Sequence, residues 1–133
     1  IMMGGRRVER DFQINIDEPV ELGGGSTQAN PQEYLLAAMN ACMGATYVAL
    51  ATLHGITLES LTIETEGDID LRGFLGIDSD VRPGYGELRS TFHVKSDAAP
   101  DKLERLHEQV HKLSPNYFNM ATAIPVNTKL VVE

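Results

Sequence analysis

Residues 34–53 read YLLAAMNACMGATYVALATL, 20 residues without one charged side chain. That length could span a bilayer. The stretch nevertheless includes Asn40, Gly44, Thr46, Thr52 and six alanines, and it lacks basic or aromatic flanks. A helix buried in protein fits it better. Asn30 suits the N-cap and Pro31 the first helical position, where a missing N–H costs nothing. Glu33 stands three residues after Asn30, as a capping box requires. Gly55 follows the last apolar residue and can take the left-handed conformation that ends a helix. The pattern therefore predicts a helix over about 31–54, roughly 36 Å long at 1.5 Å per residue.

Working outward, even positions Val8, Phe12, Ile14 and Ile16 alternate as in a strand over 8–16. Pro19 and the run Gly23-Gly24-Gly25-Ser26 make a loop. Beyond the helix, Leu61, Ile63, Ile69 and Leu71 predict a strand through about 58–71. Residues 73–86, GFLGIDSDVRPGYG, form a long turn region. Leu88, Phe92 and Val94 mark a further strand. Leu103, Leu106, Val110 and Leu113 stripe a second helix over about 98–113, which Ser114-Pro115 stops. Pro125 opens a last strand carrying Val126, Leu130 and Val132.

The order strand, helix, two strands, helix, strand makes an α+β fold in one domain, residues 1–133. A domain of this length has a radius of gyration of about 14 Å. One sheet and one amphipathic helix cannot enclose a rod that is apolar on every face, so a second copy of the chain is expected to cover it in an intimate homodimer.

Composition narrows the function. Hydrophobic residues make up 42% and charged residues 23%, an ordinary globular balance with no low-complexity tract. Lys and Arg number 11 against 19 Asp and Glu, a net charge of -8, and no basic stripe favours a nucleic-acid partner. The single cysteine, Cys42, excludes an intrachain disulfide, and a reducing cytoplasm is the default. The segment IMMGGRRVERDF has no long apolar run after its charges, so no signal peptide shows, although residues preceding Ile1 in the native chain are compatible with a start in mid-strand.

Residues 107–111, HEQVH, carry the H-E-x-x-H pattern of zinc peptidases. On a helical wheel His107 lies about 80° and His111 about 120° from the centre of the apolar stripe, so both flank the buried face or point to solvent. No histidine follows His111 as a third ligand, and Glu133 ends the chain. The expectation is a chance match on a solvated helix, with no metal and no cofactor.

Cys42 is the remaining candidate. It stands about twelve residues into its helix, too far for the N-terminal dipole to help it ionise. A small buried residue is one reading of it. If it reacts, a cation from elsewhere must support the thiolate. Asn30-Pro31, the acidic-leucine-alanine helix with a mid-helix cysteine, and the approach Pro19, Gly23-Gly24-Gly25 together resemble the OsmC/Ohr family of thiol-dependent organic hydroperoxide reductases. EGDIDLRGFLG, residues 66–76, is similar to a segment of one OsmC-like subgroup. The resemblance covers nearly the whole chain.

It implies antiparallel sheets wrapped around long central helices in an intertwined homodimer. It also implies Cys42 as the peroxide-attacking residue at the subunit interface, with an arginine and a glutamate polarising the site. Glu33 and Arg6 or Arg7, with Arg10 as a further choice, are the candidates here. The family glutamate itself aligns with Gln32. The family's second, resolving cysteine corresponds to Ser114, so an external thiol reductant, or a disulfide between the two Cys42 residues of a dimer, must take its place. Ser114 is expected to point at Cys42 and donate a hydrogen bond. Met39, Met43, Tyr117 and Phe118, with Met120, are read either as core or as the lining of an apolar pocket for a small organic hydroperoxide. A non-catalytic binding or structural protein of the same fold is the alternative.

Overall fold

The computed structural model describes residues 2–132, with side chains from Gly4 onward. The chain divides into two compact units, Ile1–Leu35 and Leu36–Glu133, and the long helix runs from one into the other.

In the first unit, β1 (Met2–Met3) and β2 (Arg6–Arg7) pair antiparallel, Met2 opposite Arg7. Gly4 and Gly5 turn the chain with φ of 54° and 75°, the left-handed pair that a two-residue hairpin needs. Residues 8–16 form no strand. Phe12, Ile14 and Ile16 are each more than half exposed, so the period-two pattern lacks the neighbouring strand that would order it. The glycine loop closes on Asp17, whose carboxylate accepts from the Gly25 N–H, the Thr27 N–H and the Thr27 hydroxyl. Those donors hold its pKa at about 2.

The long helix, α1, spans Pro31–Leu53. Its start is a full capping box: Asn30 Oδ1 accepts from the Glu33 N–H at 2.9 Å, and Glu33 Oε2 accepts from the Asn30 N–H at 2.8 Å. Its end is a Schellman turn. Gly55, at φ 64°, donates to Thr52 O, and the Ile56 N–H reaches back to Ala51 O at 2.8 Å.

The second unit packs on one face of α1. Met39, Met43, Tyr47 and Ala51, four residues apart, are buried with Leu106 and Val110 in the core. β3 (Leu58–Glu66) and β4 (Arg89–Ser96) pair antiparallel, with Ile63 opposite Phe92 and Leu61 opposite Val94. Those four side chains pack on the core. The alternate positions face outward, where Glu59 pairs with Lys95 and His93 Nε2 stands 3.4 Å from the Glu64 carboxylate. At the end of the ladder one guanidinium, that of Arg89, bonds three carboxylates: Glu66, Asp68 and Glu87. Asn40, the polar intruder in the apolar helix, is satisfied by the sheet. Its Nδ2 donates to Ile63 O and its Oδ1 accepts from the Thr65 hydroxyl.

β3 ends at Glu66 rather than near 71. Asp70 instead caps a short helix, α2 (Leu71–Phe74), accepting from the Arg72 N–H. A side chain at Gly73 would put a Cβ 2.3 Å from Arg82 O, so glycine lets the turn fold back on itself. The second long helix, α3, spans Pro100–Leu113. Ser114-Pro115 does not only stop it: Pro115 opens a further helix, α4 (Pro115–Ala121), which the sequence reading missed. The strand expected from Pro125 is absent. Val126, Leu130 and Val132 are 79%, 85% and 84% exposed, with no partner strand in the described chain. Glu133 lies outside the described residues.

Candidate functional site

Cys42 lies near the middle of α1, half-buried, one residue before the fully buried Met43. The Thr46 hydroxyl bonds back to the carbonyl of Cys42 at 2.9 Å, one turn on. The Cys42 sulfur meets the junction of α3 and α4. Ser114 Oγ stands 3.5 Å from Cys42 Sγ and donates to it.

Ser114 occupies the N-cap of α4 yet makes no capping bond with its side chain. A serine there ordinarily accepts from the backbone N–H two or three residues on. Here the hydroxyl turns to the sulfur instead. Ser114 is 1% exposed and is the buried polar side chain of the core. A hydroxyl in that position serves a sulfur acceptor in any state: thiol, thiolate or sulfenate.

Asn116 fixes the junction from the other side. Its Nδ2 donates to Ala38 O at 2.9 Å, so α4 is tied to α1 one turn before the cysteine. Sequence reasoning missed this residue, because only the tertiary approach of α4 to α1 gives it a partner.

The other expected site residues fall into three groups. Met39 and Met43 are sealed in the core at 4% and 0% exposure. Tyr117 packs half-buried against that core together with Met120, whereas Phe118 is 54% exposed. Arg6, Arg7, Arg10 and Glu33 belong to the first unit. There Arg7 pairs with Glu9 at 2.8 Å, Arg10 lies over the Phe12 ring, and the Glu33 carboxylate is committed to its capping box.

HEQVH takes a different place from a metal centre. The His107 and His111 rings stand 4.3 Å apart, and the Phe92 ring meets both edge-on. His111 also packs on Tyr117 at 4.7 Å, and His107 lies near Tyr47. The pair belongs to an aromatic row that seats α3 on β4 and α4. Burial, and next the charge of His107, push the His111 pKa below its ordinary value. Among the described residues, no three His, Cys, Asp or Glu side chains gather as a metal would need.

The comparisons agree with this architecture. A family model for OsmC-like protein matches residues 23–129. No curated protein sequence matches the chain. Among solved structures, an OsmC-like protein from Mycoplasma pneumoniae superposes with a TM-score of 0.73 at 21% identity, over 86% of this chain and 76% of that one. An organic hydroperoxide resistance protein OsmC from Legionella pneumophila, also described as a predicted redox protein, superposes with a TM-score of 0.56 at 20% identity, over 80% and 72%. An OsmC-like protein of unknown function from Vibrio cholerae gives a TM-score of 0.54 at 18% identity, over 71% and 60%. At these identities the structures speak for the fold alone, while the family model covers most of the sequence: the chain belongs to the OsmC-like protein family.

Proposed function

We propose that this chain is a one-cysteine thiol peroxidase for small organic hydroperoxides, with Cys42 as its nucleophile. The observation that carries the reading is the buried Ser114 hydroxyl, withheld from its own helix and aimed at Cys42 Sγ. The Cys42 thiolate attacks the distal oxygen of the hydroperoxide. An S–O bond forms, the O–O bond breaks, and the alkoxide leaves as an alcohol after taking a proton. Cys42 is then a sulfenic acid. The chain holds no second thiol, so an external thiol condenses with it, releasing water and leaving a mixed disulfide. A second external thiol attacks that disulfide and returns Cys42 to the thiolate. Arg6 or Arg7 is the cation proposed to support the thiolate once the protein is assembled, with Glu33 left to its cap, and Tyr117 and Phe118 are proposed to bound the alkyl group, with Met39 and Met43 left to the core.

Assembly is part of the proposal. Only one stripe of α1 is covered within the chain; Val48 remains 53% exposed and Leu53 79%. Phe12, Ile14 and Ile16, and likewise Val126, Leu130 and Val132, are exposed large hydrophobics in segments that form no strand among the described residues. A second copy supplies cover for both in an intertwined homodimer. α1 is long and apolar enough to cross a membrane. Members of the OsmC-like family are soluble proteins, so it is read as a core helix, in a chain proposed to work in the cytoplasm.

A second reading rests on the same serine. With no second thiol at that position, the family's cycle is open, and a binding or structural protein with an idle cysteine is its natural outcome. The two separate on one experiment. Intact mass after a few equivalents of cumene hydroperoxide should show rapid gain of one oxygen, abolished in Cys42→Ala. Slow methionine oxidation alone would favour the second reading. Light scattering should give twice the chain mass of 14.6 kDa; a stable monomer would remove the assembly argument.

A further inference from the structure

A cavity of about 220 Å³ lies away from Cys42, where the end of α1 meets α3. His54 and Ile56 come from the Schellman turn; Lys102, Arg105, Leu106 and Gln109 come from α3. Spacings of three and four residues place those four on one face of the helix. Hydrogen bonds brace both walls. The turn is held by the Ile56 N–H to Ala51 O, and His54 Nε2 meets Gln109 Oε1 at 2.9 Å.

The lining is chemically one-sided. The chain carries a net charge of -8, yet this cavity is lined by two cations, an imidazole and an amide, with no carboxylate. Lys102 stands in the first turn of α3, whose dipole adds positive potential. The floor is apolar: Leu106 is 2% exposed, and Ile56 packs half-buried on the core. Arg105 also binds Asp101 through one nitrogen, at 2.6 Å, so an incoming anion shares that guanidinium with Asp101.

We propose that this cavity binds a small organic monocarboxylate. Its carboxylate sits among Lys102, Arg105 and the Gln109 amide, and its apolar body rests on Leu106 and Ile56. The volume falls below the roughly 300–1,000 Å³ of sites that hold drug-sized ligands, so the ligand is small. The apolar floor selects a carboxylate with a hydrocarbon body over a free phosphate. The site goes beyond the peroxidase reading and stands whether or not Cys42 turns over.

The test is an amide-resolved NMR titration of the intact protein with benzoate and, separately, with inorganic phosphate. Benzoate should give saturable shifts at His54, Lys102, Arg105 and Gln109, and phosphate weaker ones. The double variant Lys102→Gln with Arg105→Gln should weaken benzoate at least about tenfold, as expected for lost charged hydrogen bonds. Lys112→Gln, on the same helix outside the cavity, should leave benzoate binding unchanged. Shifts that never saturate, an unchanged response in the double variant, or phosphate equal to benzoate would each overturn the proposal. All three substitutions lie at exposed positions, and the dispersion of the same spectra reports that the variants remain folded.

Discussion

Two helices in this chain start with the same chemistry, a short polar residue followed by proline: Asn30-Pro31 for α1 and Ser114-Pro115 for α4. At the first, the polar side chain does what such residues ordinarily do. Asn30 accepts from the Glu33 N–H, and Glu33 answers through the Asn30 N–H. At the second, the hydroxyl leaves its own backbone donors alone and crosses to a sulfur on another helix. The first start is exposed to solvent and serves local structure. The second is sealed, with 1% of Ser114 reachable. A residue that forgoes a cap in a buried place marks where tertiary chemistry has displaced local preference.

The contrast is open to direct attack. The largest effect is expected from Cys42→Ala, which removes the acceptor at the second start and should abolish peroxide-driven oxygen gain altogether while the protein stays folded. Next, Asn30→Ala should lower unfolding free energy by about 1 kcal/mol, the usual worth of a cap, read as a shift in urea midpoint without a change in slope. Ser114→Ala should cost less stability than Asn30→Ala, because sulfur is a weak acceptor and no cap is lost, but it should slow oxidation of Cys42. If Ser114→Ala instead matched the Asn30 variant in stability and left oxidation untouched, the two starts would be equivalent after all.

The smallest expected effect is one of pH. The His111 pKa is lower in the folded chain than the ordinary 6.5. The unfolded chain therefore binds the proton more readily below that value. The contribution of His111 to stability is complete above pH 6.5 and is lost as the pH falls from there through the lowered folded value. Replacing His111 with Phe should flatten that slope in urea titrations run across the same range.

What could be read from residues alone follows the range of the forces involved. α1 was legible at both ends, since Asn30, Pro31, Glu33 and Gly55 act within a few residues of themselves. The existence of β3 and β4 and the stripe of α3 were legible from their periods, though β3 stops at Glu66, short of the expected 71. Segments 8–16 and 125–132 were not, because alternation states which face wants cover and says nothing of where a partner strand comes from. α4 was hidden because Pro115 ends one helix as readily as it begins the next. Within the candidate site, Cys42 and Ser114 came from the resemblance, whereas Asn116 waits on a carbonyl 78 residues away in sequence.

Arg89 stitches three acidic side chains at the mouth of the β3–β4 ribbon. Take away that single positive centre, as in Arg89→Met, and Glu66, Asp68 and Glu87 become neighbours that repel. Added electrolyte would then draw the frayed mouth together by screening, whereas in the native ribbon the same electrolyte loosens it.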